Sequence, residues 1–99
     1  MAQRKINWAS RAVTDRTDIL EYWYEKTGSV DYPIKLEGLF SSTISLFSKM
    51  PDAGIVFDQQ RNIRFVLVKY YRIYYTSTEQ HFTVLSIWDT RRDQQKFSI

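Results

Sequence analysis

Apolar residues follow two different spacings along this chain, and the change between them marks out its elements. Residues 4–9 alternate, with Ile6 and Trp8 on one side and Lys5 and Asn7 on the other, as in a half-buried strand. After Ser10, which offers an N-cap oxygen, the spacing lengthens. Ala12, Ile19, Leu20 and Trp23 share one stripe of a helix over residues 11–27, and Gly28 is placed to close it. Residues 29–33 lead into a second helix over 31–50, capped at or close to Asp31, with Pro33 tolerated in its first turn. Leu36, Leu39, Phe40, Ile44, Phe47 and Met50 give that helix its apolar stripe, and Gly38 is a soft spot within it. So short a connection between two amphipathic helices predicts an antiparallel hairpin, both stripes facing one third layer.

Pro51-Asp52-Ala53-Gly54 reads as a turn and residues 54–62 as a surface loop. Residues 64–68, 71–76 and 82–88 are rich in β-branched and aromatic side chains with short breaks between them, which predicts a three-stranded meander. If Lys69-Tyr70 is a two-residue turn, Val68 pairs with Tyr71, Leu67 with Arg72, Val66 with Ile73, Phe65 with Tyr74 and Arg64 with Tyr75. One face then carries Val66, Val68, Tyr71, Ile73 and Tyr75, suited to lie under the helices. The other carries Phe65, Leu67, Arg72 and Tyr74, and reads as an exposed apolar groove with a basic centre. The fold class expected is α+β: an N-terminal strand on the edge of a small twisted antiparallel sheet, with the helical hairpin on one face.

The chain has 99 residues, enough for a single domain over 1–99, and its 43% apolar and 16% aromatic content excludes disorder. With no cysteine and one histidine, disulfides, thiolate zinc sites and thiol nucleophiles are excluded, and neither metal nor cofactor is expected. His81 reads as a surface residue of the Thr78–His81 turn. No apolar run is long enough to span a bilayer, and Met1-Ala2-Gln3-Arg4-Lys5 opens on a polar segment rather than a signal peptide, so a cytoplasmic location is expected.

The formal net charge of +3 is unevenly placed: residues 60–99 hold seven Lys/Arg against three Asp/Glu. The C-terminal part should therefore meet any anionic partner. Arg72, mid-strand on the open face, either reaches solvent or binds an anion. Arg91 and Arg92, after Trp88-Asp89-Thr90, form either a solvated tail or an anion clamp with Arg72; Arg64 is a rim charge. Tyr22, Trp23 and Tyr24 divide between core and helix surface, and Tyr74 is the tyrosine placed for a polar role on the groove side. There is no phosphate-cradling Gly-rich loop and no Ser-His-Asp or paired-carboxylate signature.

The order strand, helical hairpin, Pro51-Asp52-Ala53-Gly54, basic strand, Tyr71-Arg72-Ile73-Tyr74-Tyr75, strand, Ile87-Trp88-Asp89-Thr90-Arg91-Arg92 resembles the RelE/ParE superfamily of bacterial type II toxin–antitoxin toxins. Trp8-Ala9-Ser10-Arg11-Ala12 and Ile19-Leu20-Glu21-Tyr22 add to the likeness, which covers nearly the whole chain. It implies a small toxin neutralised by a cognate antitoxin, with DNA gyrase or ribosome-bound mRNA as target. In the ribonuclease branch a basic cluster on the open sheet face does the cutting: one Arg in the Tyr-Arg strand, matched here by Arg72, and another after the last strand, matched by Arg91 or Arg92. The paired lysines of that branch are missing, since Arg64 is followed by Phe65, Val66 and Leu67, and Phe97 stands near where a late Tyr would fall. Phe can neither donate nor accept a proton. The resemblance therefore favours the ParE-like branch, which poisons gyrase, over a RelE-like endoribonuclease; a non-toxic basic binding module is the alternative outside the superfamily. Antitoxin or target contacts are expected from Arg64, Phe65, Leu67, Arg72, Tyr74, Trp88, Arg91 and Arg92. If catalysis occurs at all, Arg72, Tyr74, Arg91 and Arg92 are its candidates.

Overall fold

The computed structural model describes residues 3–99; Met1 and Ala2, read above with Gln3–Lys5 as a polar opening, lie outside them. Strand β1 (Lys5–Trp8) leads into helix α1 (Ser10–Thr27), which is followed by helix α2 (Asp31–Lys49). Ser10 is already helical and provides no cap; Ala9 precedes the helix in extended conformation. Gly28 ends α1 as expected, with φ of 67° and its N–H donating to the Tyr24 carbonyl. At the start of α2 the N-cap position is Val30 rather than Asp31 and carries no side-chain cap; the Ser29 hydroxyl, two residues before Asp31, accepts from the Asp31 N–H at 3.1 Å.

After a single 3-10 turn at Pro51–Ala53 come strands β2 (Ile55–Asp58), β3 (Ile63–Val68), β4 (Tyr71–Ser77) and β5 (His81–Asp89), and a further 3-10 turn at Gln94–Lys96. They form one five-stranded sheet in the order β1-β5-β4-β3-β2. Two expectations are corrected here. The segment 54–62 is not all loop, because Ile55–Asp58 pairs antiparallel with β3 as an edge strand. Its three consecutive apolar residues, Ile55, Val56 and Phe57, are all exposed, so no alternation betrays it. The sheet is also mixed rather than wholly antiparallel, since β1 runs parallel to β5 from Lys5↔His81 to Trp8↔Val84. Trp8 is half-buried against the helices as expected, while Ile6 remains 38% exposed.

The β3–β4 register agrees residue for residue with the two-residue turn at Lys69-Tyr70, although Lys69 adopts φ of 55° in place of a Gly or Asn. Between β4 and β5 a bulge leaves Leu85 unpaired, as Tyr74 faces Ser86 and Tyr75 faces Val84. Ile73, Tyr74 and Tyr75 are consecutive and all essentially fully buried, so both faces of β4 are covered. Ala12, Leu36, Phe40 and Ile44 of the helices pack on Val68, Tyr71, Ile73, Tyr75, Phe82, Val84 and Ile87 to make the main core. On the opposite face Ile63, Phe65, Tyr74 and Trp88 form a second cluster with Leu85, Phe97 and Ile99.

That second cluster overturns the expectation of an open groove. The chain's own C-terminal segment folds back over the face. Asp93 Oδ1 accepts from the Gln95 N–H and starts the last 3-10 turn, and Phe97 then lies on Tyr74 at 4.3 Å between ring centroids, nearly parallel. Arg11 donates to the Ser98 carbonyl and Arg61 Nη1 to that of Ile99 at 2.6 Å, tying the end to α1 and to the β2–β3 turn.

Candidate functional site

Arg72, in the middle of β4, lies on the tail-covered face directly across from Leu67 on β3 and Trp88 on β5. Its guanidinium carbon stands 4.4 Å from the Phe65 ring centroid, and Nη1 donates to Tyr74 Oη at 3.3 Å. The Tyr74 hydroxyl also accepts from Gln94 Nε2 of the tail at 3.3 Å. Tyr74 is fully buried, enclosed by Phe57, Phe65 and Phe97. On the cross-strand neighbours Arg72 and Trp88, two buried donors, Arg72 Nε and Trp88 Nε1, have no acceptor. Buried N–H groups left in this condition call for one.

Arg92 covers the same corner, its guanidinium carbon 4.3 Å from the Trp88 ring. Arg91 does not join it. A fork of hydrogen bonds, Nε to Oδ1 at 3.0 Å and Nη2 to Oδ2 at 2.7 Å, locks Arg91 onto Asp89, and its guanidinium sits over Tyr70 at 4.7 Å, toward Trp23 of α1. These bonds hold the Asp89 carboxyl below its usual range and raise Arg91 further. Of the two readings of these arginines, solvated tail or clamp with Arg72, the fork on Asp89 takes Arg91 out of any clamp and leaves Arg92 beside Trp88, the cross-strand neighbour of Arg72. Arg64 donates from Nη1 to the Gly54 carbonyl at 2.8 Å, and it shares its register position with Tyr75. Leu67 is 53% exposed at the open margin. Of the residues expected at the site, the fold gathers Phe65, Arg72, Tyr74, Trp88 and Arg92, with Leu67 beside them, and sets Arg64 and Arg91 apart.

Three participants went unassigned in the sequence reading: Gln94, Phe97 as a packing residue, and Arg11, whose guanidinium stands 5.1 Å from the Phe97 ring. The apolar pair Phe97 and Ile99 in an otherwise polar tail was the available signal.

A separate cleft of about 550 Å³ opens between α1, the start of β4 and the end of β5. Pairing of β1 with β5 ends at Val84, and beyond it the edge of β5 is served by Asp15 of α1 instead of a strand. Asp15 Oδ2 accepts from Ser86 Oγ at 2.6 Å and from the Ile87 N–H at 3.0 Å. Tyr71 Oη accepts from Trp23 Nε1 at 2.7 Å in the cleft's floor, and burial pushes the Tyr71 phenol up. His81, the first residue of β5, is exposed and its Nδ1 lies 3.0 Å from Asn7 Nδ2. Among the described residues no group of three His, Cys, Asp or Glu could hold a metal ion, and no helix is long and apolar enough to cross a membrane.

No family model matches the chain, and no curated protein matches it. Among solved structures it is similar to a chain described as "Chromosomal ParDE TA system from P. aeruginosa", with a TM-score of 0.70 over 86% of this chain and 94% of that one, at 11% sequence identity. The two-helix, five-strand architecture of this chain is thus similar in fold to that structure, although the two sequences differ at most positions.

Proposed function

We propose that the chain is the toxin component of a type II toxin–antitoxin module, held in check by a protein antitoxin, and that it arrests growth by poisoning DNA gyrase. The fold supports the first part: its likeness to a ParDE chain spans nearly the whole of both molecules, and the sequence motifs resemble toxins of the same superfamily. The burial of Tyr74 supports the second. Cutting RNA through its 2′-hydroxyl needs one group to take that proton and another to protonate the leaving oxygen. Tyr74 is the phenol nearest the basic corner, and it is fully buried beneath Phe97. Its hydroxyl is already an acceptor for Arg72 and Gln94.

One observation favours the ribonuclease reading as the second choice. The unmatched donors Arg72 Nε and Trp88 Nε1, with Arg92 above Trp88, are the kind of group that receives a phosphate oxygen. Induced expression in a bacterial host tests the proposal. Growth arrest relieved by co-expression of the adjacent open reading frame is the expected result, and unimpaired growth at high soluble expression would reject the toxin role.

A further inference from the structure

The cleft between α1 and the strand ends takes no part in burying the tail-covered face, and the toxin reading leaves it without an occupant. Its volume of about 550 Å³ suits one or two bulky groups. Ile19 and Tyr22 of α1 and Tyr71 and Ile87 of the sheet supply apolar walls. Most charges around it are already matched. Asp15 accepts from Ser86 and Ile87 and lies 4.0 Å from Arg11, and Asp89 holds Arg91. Two remain, Asp18 on α1 and Arg92 beyond β5. Both are exposed, and neither makes an ion pair among the described residues.

The walls are also fixed in advance. The Trp23–Tyr71 hydrogen bond and the Asp89–Arg91 fork hold the side chains at the floor and rim, so an incoming group need not order them. Resting on the reading that this chain works with a protein partner, we propose that the cleft docks a segment of that partner with one bulky apolar side chain between an acidic and a basic residue. The apolar side chain enters between Tyr22 and Ile87, the acid faces Arg92 and the base faces Asp18. Matching opposite charges on two separate elements sets which way the segment lies. Nucleic acid fits poorly here, because with Asp15 and Asp89 paired the remaining lining charges, Asp18 and Arg92, cancel and offer phosphates no net attraction.

Capped tripeptides test this on the isotopically labelled full chain by NMR titration. Glu-Phe-Lys should shift the Ile19 and Ile87 methyls and the Trp23 indole, and Glu-Ala-Lys should bind more weakly by about fivefold or more. Charge exchange gives the sharper readout. Arg92→Glu should lose about fivefold in affinity for Glu-Phe-Lys and come to prefer Lys-Phe-Lys, and Asp18→Lys should come to prefer Glu-Phe-Glu. Both positions are exposed, so the fold should persist, as the remaining resonances of each variant will verify. Binding that ignores these exchanges, shifts mapping outside the cleft, or no shifts at millimolar peptide would overturn the proposal. Growth arrest is scored separately, on the unsubstituted chain. Arrest there without the preference switch in the variants removes the docking site alone, whereas the switch without arrest by the unsubstituted chain keeps the docking site and removes the toxin.

Discussion

Replacing Phe97 with Ala takes away the ring that stacks on Tyr74 and meets Phe57 and Trp88 at steep angles. Truncating a fully buried Phe costs ~3–5 kcal/mol, a range that already contains its aromatic contacts. Phe97 is half-buried, so about half of that, ~2 kcal/mol, is expected. In a domain of this size ~1 kcal/mol moves the midpoint by ~4–8 °C, which places the thermal midpoint ~8–16 °C lower. Far-UV circular dichroism would follow the unfolding. Acrylamide quenching, referenced to a Trp88→Phe variant, should show Trp88 newly accessible in Phe97→Ala, because Phe97 is a principal cover of its ring. The reasoning fails if stability drops by less than ~0.5 kcal/mol or if Trp88 stays as protected as before. Either result would mean that residues 94–99 are not part of the cooperative core.

A Cβ on Gly54 would run into the hydroxyl of Tyr75, which is buried and donates to the Pro51 carbonyl at 2.6 Å. Gly54→Ala should therefore cost ~2–3 kcal/mol in urea unfolding, and less by ~1 kcal/mol in a Tyr75→Phe background, where the hydroxyl is gone. Arg92→Ala should abolish growth arrest while lowering stability by under ~1 kcal/mol, since its side chain is exposed and makes no ion pair among the described residues; arrest that persists at wild-type levels would remove Arg92 from the site. Asp89 has its folded pKa held below 3.8 by Arg91, so its contribution is complete above the unfolded value and is lost as pH falls through the folded one. Urea midpoints for Asp89→Asn should accordingly fall less steeply than wild type in the acid limb; parallel curves would contradict this.

Periodicity carried the helices because one face of each is buried and the other is not, whereas β3–β5 were legible from their runs of β-branched and aromatic residues, both faces of β4 being buried. Gly28 and the Lys69-Tyr70 turn set boundaries that the structure keeps, and with them the whole β3–β4 register. Strand β2 escaped because its three consecutive apolar residues, Ile55, Val56 and Phe57, sit at an edge with each side chain more than a third exposed, which leaves no alternation. The parallel direction of β1 depends on where α1 returns the chain, which lies outside any local pattern. At the site, the alternation of β4 placed Arg72 and Tyr74 on the right face, yet that face is closed. The cover is formed by Phe97 and Ile99, about twenty-five residues distant in sequence, and nothing in the strand itself announces it. Arg91 and Arg92 are adjacent and look equivalent in the sequence. Asp89 separates them by capturing Arg91, a choice made by geometry at the strand end.

The central claim, a toxin directed at gyrase and not at RNA, is tested most directly by giving the purified chain to both targets side by side. One reaction contains gyrase, relaxed plasmid and ATP; the other contains translating ribosomes on a defined message, with cleavage mapped by primer extension. The account predicts lost supercoiling or accumulated gyrase–DNA cleavage complexes, with the message left intact. Codon-phased cuts in the message that disappear in Arg72→Ala, with gyrase unaffected, would contradict it.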